Sequence, residues 1–236
     1  MNEPTNTFKP IYTLDRVEIY CGNSLEILKQ FKAEGRHFDL LLTDTPYCVD
    51  QKNRKGGGLN AKRAKASYDG DVFEDNLEYG KTVIRPIIDL ALELCTLGIV
   101  MAGLDGWRFL PEPKAQGCMY CPASPAFNSW GYQDYYPIWY YGQPKGNTGE
   151  YRIMSHTVTE KGFSKGHPCS KPLKFWEKLM LCGTDGIQEK TILDPFCGSG
   201  TTGHAAQNLC MKATLIDLNR KYCDLSADNC SQMMLF

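Results

Sequence analysis

Leu193-Asp194-Pro195-Phe196-Cys197-Gly198-Ser199-Gly200-Thr201-Thr202 reads as a strand end, a glycine-rich turn and a helix start. Thr191-Ile192-Leu193 enters the turn, and a helical pattern leaves it through Ala205-Ala206. The glycines let the backbone turn tightly and come close to a ligand, and the following helix offers unpaired N–H groups at the positive end of its dipole. Three readings compete. A P-loop needs Gly-Lys-Ser/Thr, and no lysine follows Gly200. A dinucleotide fingerprint needs three spaced glycines, and with Gly203 as the third the match is partial. The third reading is a turn whose glycines serve packing alone. Asp217 closes the next apolar run, Ala213-Thr214-Leu215-Ile216, and corresponds to the acidic residue that holds ribose hydroxyls in nucleotide-binding sheets.

Working outward, Val17-Glu18-Ile19-Tyr20 predicts a strand, and the polar segment before it, to about Asp15, a short extension or edge strand. Cys21 to Ser24 is a turn with Asn23 or Ser24 as helix N-cap, and Leu25, Ile27, Leu28 and Phe31 follow at helical spacing. Phe38-Asp39-Leu40-Leu41-Leu42-Thr43 is a near-continuous apolar run, as expected of a strand covered on both faces, and it ends in Asp44-Thr45-Pro46-Tyr47. Tyr79 to Leu97 predicts a helix, with Pro86 either kinking it or marking its true start, and Gly98 to Gly103 a buried strand. Leu104 to Gly166 is rich in Pro, Gly and aromatics and lacks a period, apart from a candidate strand over Tyr135–Tyr141. Leu173 to Leu181 and Asn219 to Met234 predict helices. Alternating strands and helices imply an α/β fold with a doubly wound, mostly parallel sheet, in which ligands bind outside the carboxyl ends of the strands. Four polar turns fall at such ends: Cys21–Ser24, Asp44–Tyr47, Phe196–Thr202 and Asp217.

The chain of 236 residues suits one domain, and its 42% hydrophobic content supports a sizeable core. No apolar run reaches membrane-spanning length, Met1-Asn2-Glu3-Pro4 is unlike a signal peptide, and 11 scattered cysteines suit reduced thiols in a cytoplasmic protein. Cys118 and Cys121 form a lone C-x-x-C, read as unliganded thiols with no metal. Net charge is -1, yet Gln51 to Lys65 carries six basic residues (Lys52, Arg54, Lys55, Lys62, Arg63 and Lys65), no acidic one, and Gly56-Gly57-Gly58 at its centre. This reads as a mobile basic loop.

Asp194 to Thr202, followed by a strand ending in an acidic residue, resembles motifs I and II of the S-adenosylmethionine-dependent DNA amino-methyltransferases. Asp44-Thr45-Pro46-Tyr47 resembles their D-P-P-Y motif IV, with Thr45 where Pro is usual. Gly166-His167-Pro168-Cys169-Ser170-Lys171-Pro172 resembles the H-P-x-x-K-P segment that precedes motif I in the β group. In that group motif IV comes first, a circular permutation, as in this chain. The resemblance runs from Val17 to about Asp228 and is weakest from Leu104 to Gly166.

The resemblance implies a Rossmann-like, permuted, single methyltransferase domain over residues 1–236, with 104–166 as an inserted target-recognition region. It implies S-adenosylmethionine as cofactor and methyl transfer to an exocyclic amine of a flipped-out base in double-stranded DNA. Asp at the first motif IV position leans to adenine N6, with cytosine N4 or a non-catalytic partner subunit as alternatives. Asp44 and the Thr45 carbonyl would accept the amine hydrogens, Pro46 would stiffen the turn and Tyr47 would stack on the base. Asp194, Phe196, Gly198, Ser199, Gly200, Thr201, Asp217, Asn23, His167 and Lys171 are the cofactor candidates, Lys171 for its carboxylate. The basic loop is the DNA-binding candidate, a homodimer is a further expectation, and the cell address is the cytoplasm, at the nucleoid when DNA is bound.

Overall fold

A computed structural model describes residues 7–48, 76–122, 127–128, 131–144, 155–158 and 171–231. The strands are β1 (Tyr12–Leu14), β2 (Val17–Cys21), β3 (Phe38–Asp44), β4 (Cys95–Met101), β5 (Ala115–Tyr120), β6 (Phe127–Asn128), β7 (Gly131–Tyr132), β8 (Tyr135–Tyr141), β9 (Ser155–Thr157), β10 (Thr191–Asp194) and β11 (Lys212–Asp217). The helices are α1 (Ser24–Ala33), α2 (Arg85–Glu93), α3 (Leu173–Thr184), α4 (Thr201–Asn208) and α5 (Arg220–Ser231). Nine strands form one sheet in the order β1-β2-β11-β10-β3-β4-β8-β5-β9, and β6 and β7 form a separate antiparallel pair. The five strands from β2 to β4 in that order are mutually parallel, with β1 antiparallel at one edge and β8 antiparallel beyond β4.

The apolar runs explain why the sheet is covered twice. Successive strand residues face opposite sides, so a run with no polar partner needs a helix layer on each. Leu40, Leu42, Ile192 and Leu215 pack with Trp176 and Leu179 of α3, Ala205 and Ala206 of α4 and Cys223 of α5. Leu41, Leu193 and Ile216, their immediate neighbours, pack on the other side with Ile27, Leu28 and Phe31 of α1 and Ile87, Ile88 and Ala91 of α2. The sheet is therefore doubly wound, as the sequence pattern implies. Among the described residues no helix is long and apolar enough to cross a membrane.

One helix differs from expectation. The Tyr79–Leu97 span divides into a short turn at Leu77–Tyr79, a π turn at Gly80–Ile84 and α2, and β4 begins at Cys95 rather than at Gly98. Pro86 has no N–H to continue the ladder, and the turn before it runs wide. Past Leu94, pairing with β3 prevails, since Phe38 lies opposite Cys95 and its N–H donates to the Leu94 carbonyl at 2.8 Å. The aperiodic 104–166 region contributes β5, β8 and β9 to the same sheet.

Gly200 closes the motif turn and precedes α4 at φ +82. A Cβ there would lie 2.2 Å from Ser226 Oγ and 3.0 Å from Ser226 Cα on α5, whereas at Gly35, also at positive φ, it would meet nothing within 4 Å. Gly200→Ala should therefore cost about 2–4 kcal/mol, backbone strain plus overpacking, and Gly35→Ala only about 1–2 kcal/mol. Urea unfolding of the two variants checks this, and equal losses would mean that α5 yields freely.

Candidate active site

The strand order reverses between β10 and β3. From β10 the chain crosses by α4 to β11 on one side, and from β3 it crosses by α2 to β4 on the other. Because α4 and α2 lie on opposite faces, the turns that follow β10 and β3 diverge and leave a crevice at their carboxyl ends. Asp194 and Asp44, the last residues of these strands, stand at its floor.

Asp194 is 2% exposed, and its carboxylate is taken up by the protein itself. Oδ1 accepts from Thr43 Oγ1 at 2.6 Å and from the Phe196 N–H at 3.1 Å, and Oδ2 accepts from Thr202 Oγ1. Thr202 Oγ1 in turn accepts from Trp176 Nε1 at 2.7 Å. Burial pushes the Asp194 carboxyl up to about 6, against the pull of Thr202, Thr43 and the Phe196 N–H and with a smaller push from Asp44. Asp194 thus shapes the turn from beneath. Within the turn Phe196 and Gly198 are partly exposed, while Ser199, Gly200 and Thr201 are buried. The Ser199 carbonyl accepts from Asn229 Nδ2 at 2.8 Å, fixing the turn to α5.

Asp217 closes the neighbouring strand. Its Oδ2 accepts from the Gly198 N–H at 3.0 Å and its Oδ1 from the Asn219 N–H at 2.8 Å, so it holds the glycine turn while each oxygen keeps a further lone pair. Burial raises it to about 6 against those two N–H groups. Leu218 beside it is 50% exposed. Asn23 caps α1, its Oδ1 accepting from the Leu25 N–H at 2.9 Å, and Ser24 Oγ donates to the Pro195 carbonyl at 2.7 Å, joining the α1 start to the glycine turn.

The second turn carries Asp44, Thr45, Pro46 and Tyr47. The Thr45 N–H donates to the Met101 carbonyl at 3.0 Å, extending the β3–β4 ladder into the turn. Gly103 lies against Tyr47 so closely that a Cβ would come within 2.8 Å of the Tyr47 carbonyl oxygen. The Tyr47 ring is 6.0 Å from that of Tyr136, which antiparallel β8 brings to this end of the sheet. Lys171 Nζ is ion-paired with Asp44 Oδ2 and stands 5.3 Å from the Tyr47 ring centroid. Asp44 Oδ1 is buried and has no hydrogen-bond partner among the described residues. Burial pushes the Asp44 carboxyl up, with Lys171 and Tyr47 pulling it back, and burial lowers Lys171 while Asp44 and Tyr47 together raise it by more. The ammonium stays charged.

The crevice therefore brings together Asp44, Thr45, Pro46, Tyr47, the glycine turn, Asp217 and Lys171. Trp107 (70% exposed), Tyr120 and Tyr135 stand exposed on the same end of the sheet. His167 and the basic residues Lys52, Arg54, Lys55, Lys62, Arg63 and Lys65 lie outside the described residues. The network of Thr43, Thr202 and Trp176 has no signature in the sequence beyond Thr202's position in the motif. Among the described residues no group of three His, Cys, Asp or Glu could hold a metal ion.

Residues 107–228, just over half of the chain, match the family model for N6/N4 DNA methylases. The type II methyltransferase M.HpaI of Haemophilus parainfluenzae is 31% identical over 89% of this chain and 73% of its own length. M2.LlaDCHI of Lactococcus lactis subsp. cremoris is 25% identical over 91% and 89%. Among solved structures, the cytosine-N4-specific PvuII DNA methyltransferase superposes with a TM-score of 0.64 at 19% identity, over 94% of this chain and 88% of that one. The M1.HpyAVI–SAM complex gives 0.62 at 19% identity, over 90% and 98%. The chain belongs to this family of DNA methylases, and S-adenosylmethionine is its cofactor.

Thr202→Val keeps the shape but removes the hydroxyl between Asp194 Oδ2 and Trp176 Nε1, leaving both unsatisfied in the core. A loss of about 2–4 kcal/mol is expected in denaturant unfolding, together with a shift in Trp176 fluorescence. A neutral substitution would contradict the network.

Proposed function

We propose that this chain methylates an exocyclic amine of a base in double-stranded DNA, adenine N6 in the first place, with the base turned out of the duplex. The observation that carries the reading is Asp44 Oδ1. It is a buried acceptor without a partner among the described residues, beside the Tyr47 ring and one strand from the glycine turn. A buried polar atom is ordinarily satisfied, so one left without a partner at the end of β3 invites a donor from a ligand. The exocyclic amine of adenine offers two N–H donors and a flat ring. Asp44 Oδ1 suits one N–H, the Thr45 carbonyl the other, and Tyr47 the ring face. Accepting these bonds concentrates the nitrogen lone pair, and the carboxylate favours the positive charge that grows there.

The residues present fit the cofactor. Asp217 keeps lone pairs for ribose hydroxyls, exposed Leu218 offers an apolar surface beside it, and the glycine turn lets the backbone come close. When bound, S-adenosylmethionine supplies an electrophilic methyl group on a cationic sulfur. Asp194 serves by holding the turn. Asn23, Phe196, Gly198, Ser199, Gly200, Thr201 and His167 remain cofactor candidates on the strength of the motifs. Asp at the first position of the amine-binding turn is the feature that favours adenine.

We read residues 1–236 as one permuted methyltransferase domain with target recognition in 104–166, where Trp107, Tyr120 and Tyr135 form an aromatic rim suited to DNA. The basic residues from Lys52 to Lys65 suit its phosphates, a homodimer would lengthen the readable site, and the working place is the cytoplasm at the nucleoid.

The test is to incubate the protein with labelled S-adenosylmethionine and mixed genomic DNA and identify the labelled nucleoside by mass spectrometry. N6-methyladenine is expected. Label in cytosine alone overturns the adenine assignment, and no label in DNA overturns the reading. Asp44→Ala should cut turnover by about 10²–10³-fold while cofactor binding persists.

Cofactor affinity should also depend on pH. Ribose hydroxyls donate best to an ionised Asp217, and its carboxyl is raised to about 6. Affinity is then constant above that pH and falls as pH drops through it, by up to about tenfold per unit. Calorimetric titration should show this fall in the wild type and a flat profile in Asp217→Asn. Matching profiles would remove Asp217 from the cofactor.

A further inference from the structure

The motif resemblance set Lys171 against the cofactor's carboxylate, but in the structure its ammonium is on Asp44. The pair is well enclosed, with the Lys171 side chain 9% and the Asp44 side chain 22% exposed. Its two halves come from distant parts of the fold and are each held in place. Asp44 ends β3, and the Thr45 N–H fixes the next peptide to β4. Lys171 precedes Pro172, whose carbonyl accepts from the Trp176 N–H at 3.1 Å, and Trp176 is tied through Thr202 to Asp194. The scaffold of the glycine turn therefore also sets the position of the Lys171 backbone.

We propose that Lys171 is a positioning residue for Asp44, clamping Oδ2 so that the carboxylate stays ionised and Oδ1 alone faces the acceptor amine. The inference rests on the amine-methylation reading and assigns that site a residue the reading does not use. Two carboxylates, Asp44 and Asp194, end adjacent strands in a water-poor crevice, and each makes the other harder to ionise. Among the described residues the charged or titratable groups that act on Asp44 are Lys171, Tyr47 and Asp194. Lys171 is the cation among them, and moving it to a cofactor carboxylate would strand the Asp44 charge. Its attachment at Oδ2 also leaves Oδ1 as the oxygen directed to the amine, whose developing positive charge an ammonium on that side would oppose.

The experiment compares Lys171→Met, Lys171→Gln and Lys171→Arg with wild type in single-turnover methylation of DNA at saturating S-adenosylmethionine, across pH, with cofactor affinity measured by calorimetry. Loss of the cation should slow transfer by about a hundredfold, since small misplacement of a reacting group has that effect. Cofactor affinity should be unchanged. The acid limb of the rate profile should move to higher pH in the Met and Gln variants, because an unpaired Asp44 takes up its proton more readily. The Arg variant, which keeps the charge, should hold the limb at its wild-type position and recover much of the rate. A Lys171 that served the cofactor would instead weaken its binding, with the rate restored at saturation and the acid limb unmoved, and that result overturns the proposal. It would leave amine methylation standing, whereas a wild-type chain that labels no DNA overturns both.

Discussion

One buried carboxylate couples the two turns of this site. Asp194 receives Thr43 from β3, Thr202 from α4 and a backbone N–H of its own turn, and Thr202 passes the connection to Trp176 of α3. These groups come from four elements, and Thr43 lies 151 residues from Asp194 in the sequence. With burial raising Asp194 to about 6, the geometry holds only because each oxygen is satisfied. The same bonds join the turn that follows β10 to the strand that ends in Asp44.

The sheet supplies the rest of the constraint. A crevice opens where parallel strands send their crossovers to opposite faces, and the reversal falls between the two strands that end in Asp194 and Asp44. The charges are arranged with the same economy. Asp217 is used to tether Gly198, while Asp44 is paired on one oxygen and, among the described residues, unsatisfied on the other. A site with acceptors fixed in advance by neighbouring strands needs little reorganisation when a donor arrives.

Much of this was legible in the residues, for identifiable reasons. Leu40-Leu41-Leu42 and Ile192-Leu193 have no polar alternation, which announces cover on both faces, and the polar turns follow those runs. The start of β4 was not legible. Leu92, Leu94 and Leu97 keep a spacing compatible with a helix, and only the ladder with Phe38 and Leu40 decides where the helix stops. The Asp194 network was hidden because hydroxyls such as Thr43 and Thr202 carry no periodic signal. The partner of Lys171 was hidden because it depends on where the start of α3 lands. The motif resemblance named the family, which the comparisons bear out. The Asp44–Lys171 pair came from the three-dimensional arrangement alone.

On the proposed reading the crevice between Asp217 and Asp44 is one continuous site, with the cofactor at one end and the acceptor amine at the other. A crystal structure with S-adenosylhomocysteine and an oligonucleotide duplex tests this most directly. Ribose hydroxyls on Asp217, the cofactor sulfur facing Asp44, and an exocyclic amine donating to Asp44 Oδ1 at hydrogen-bond distance, about 2.7–3.2 Å, are expected. Cofactor bound away from the glycine turn, or Asp44 Oδ1 turned from the base, would contradict it.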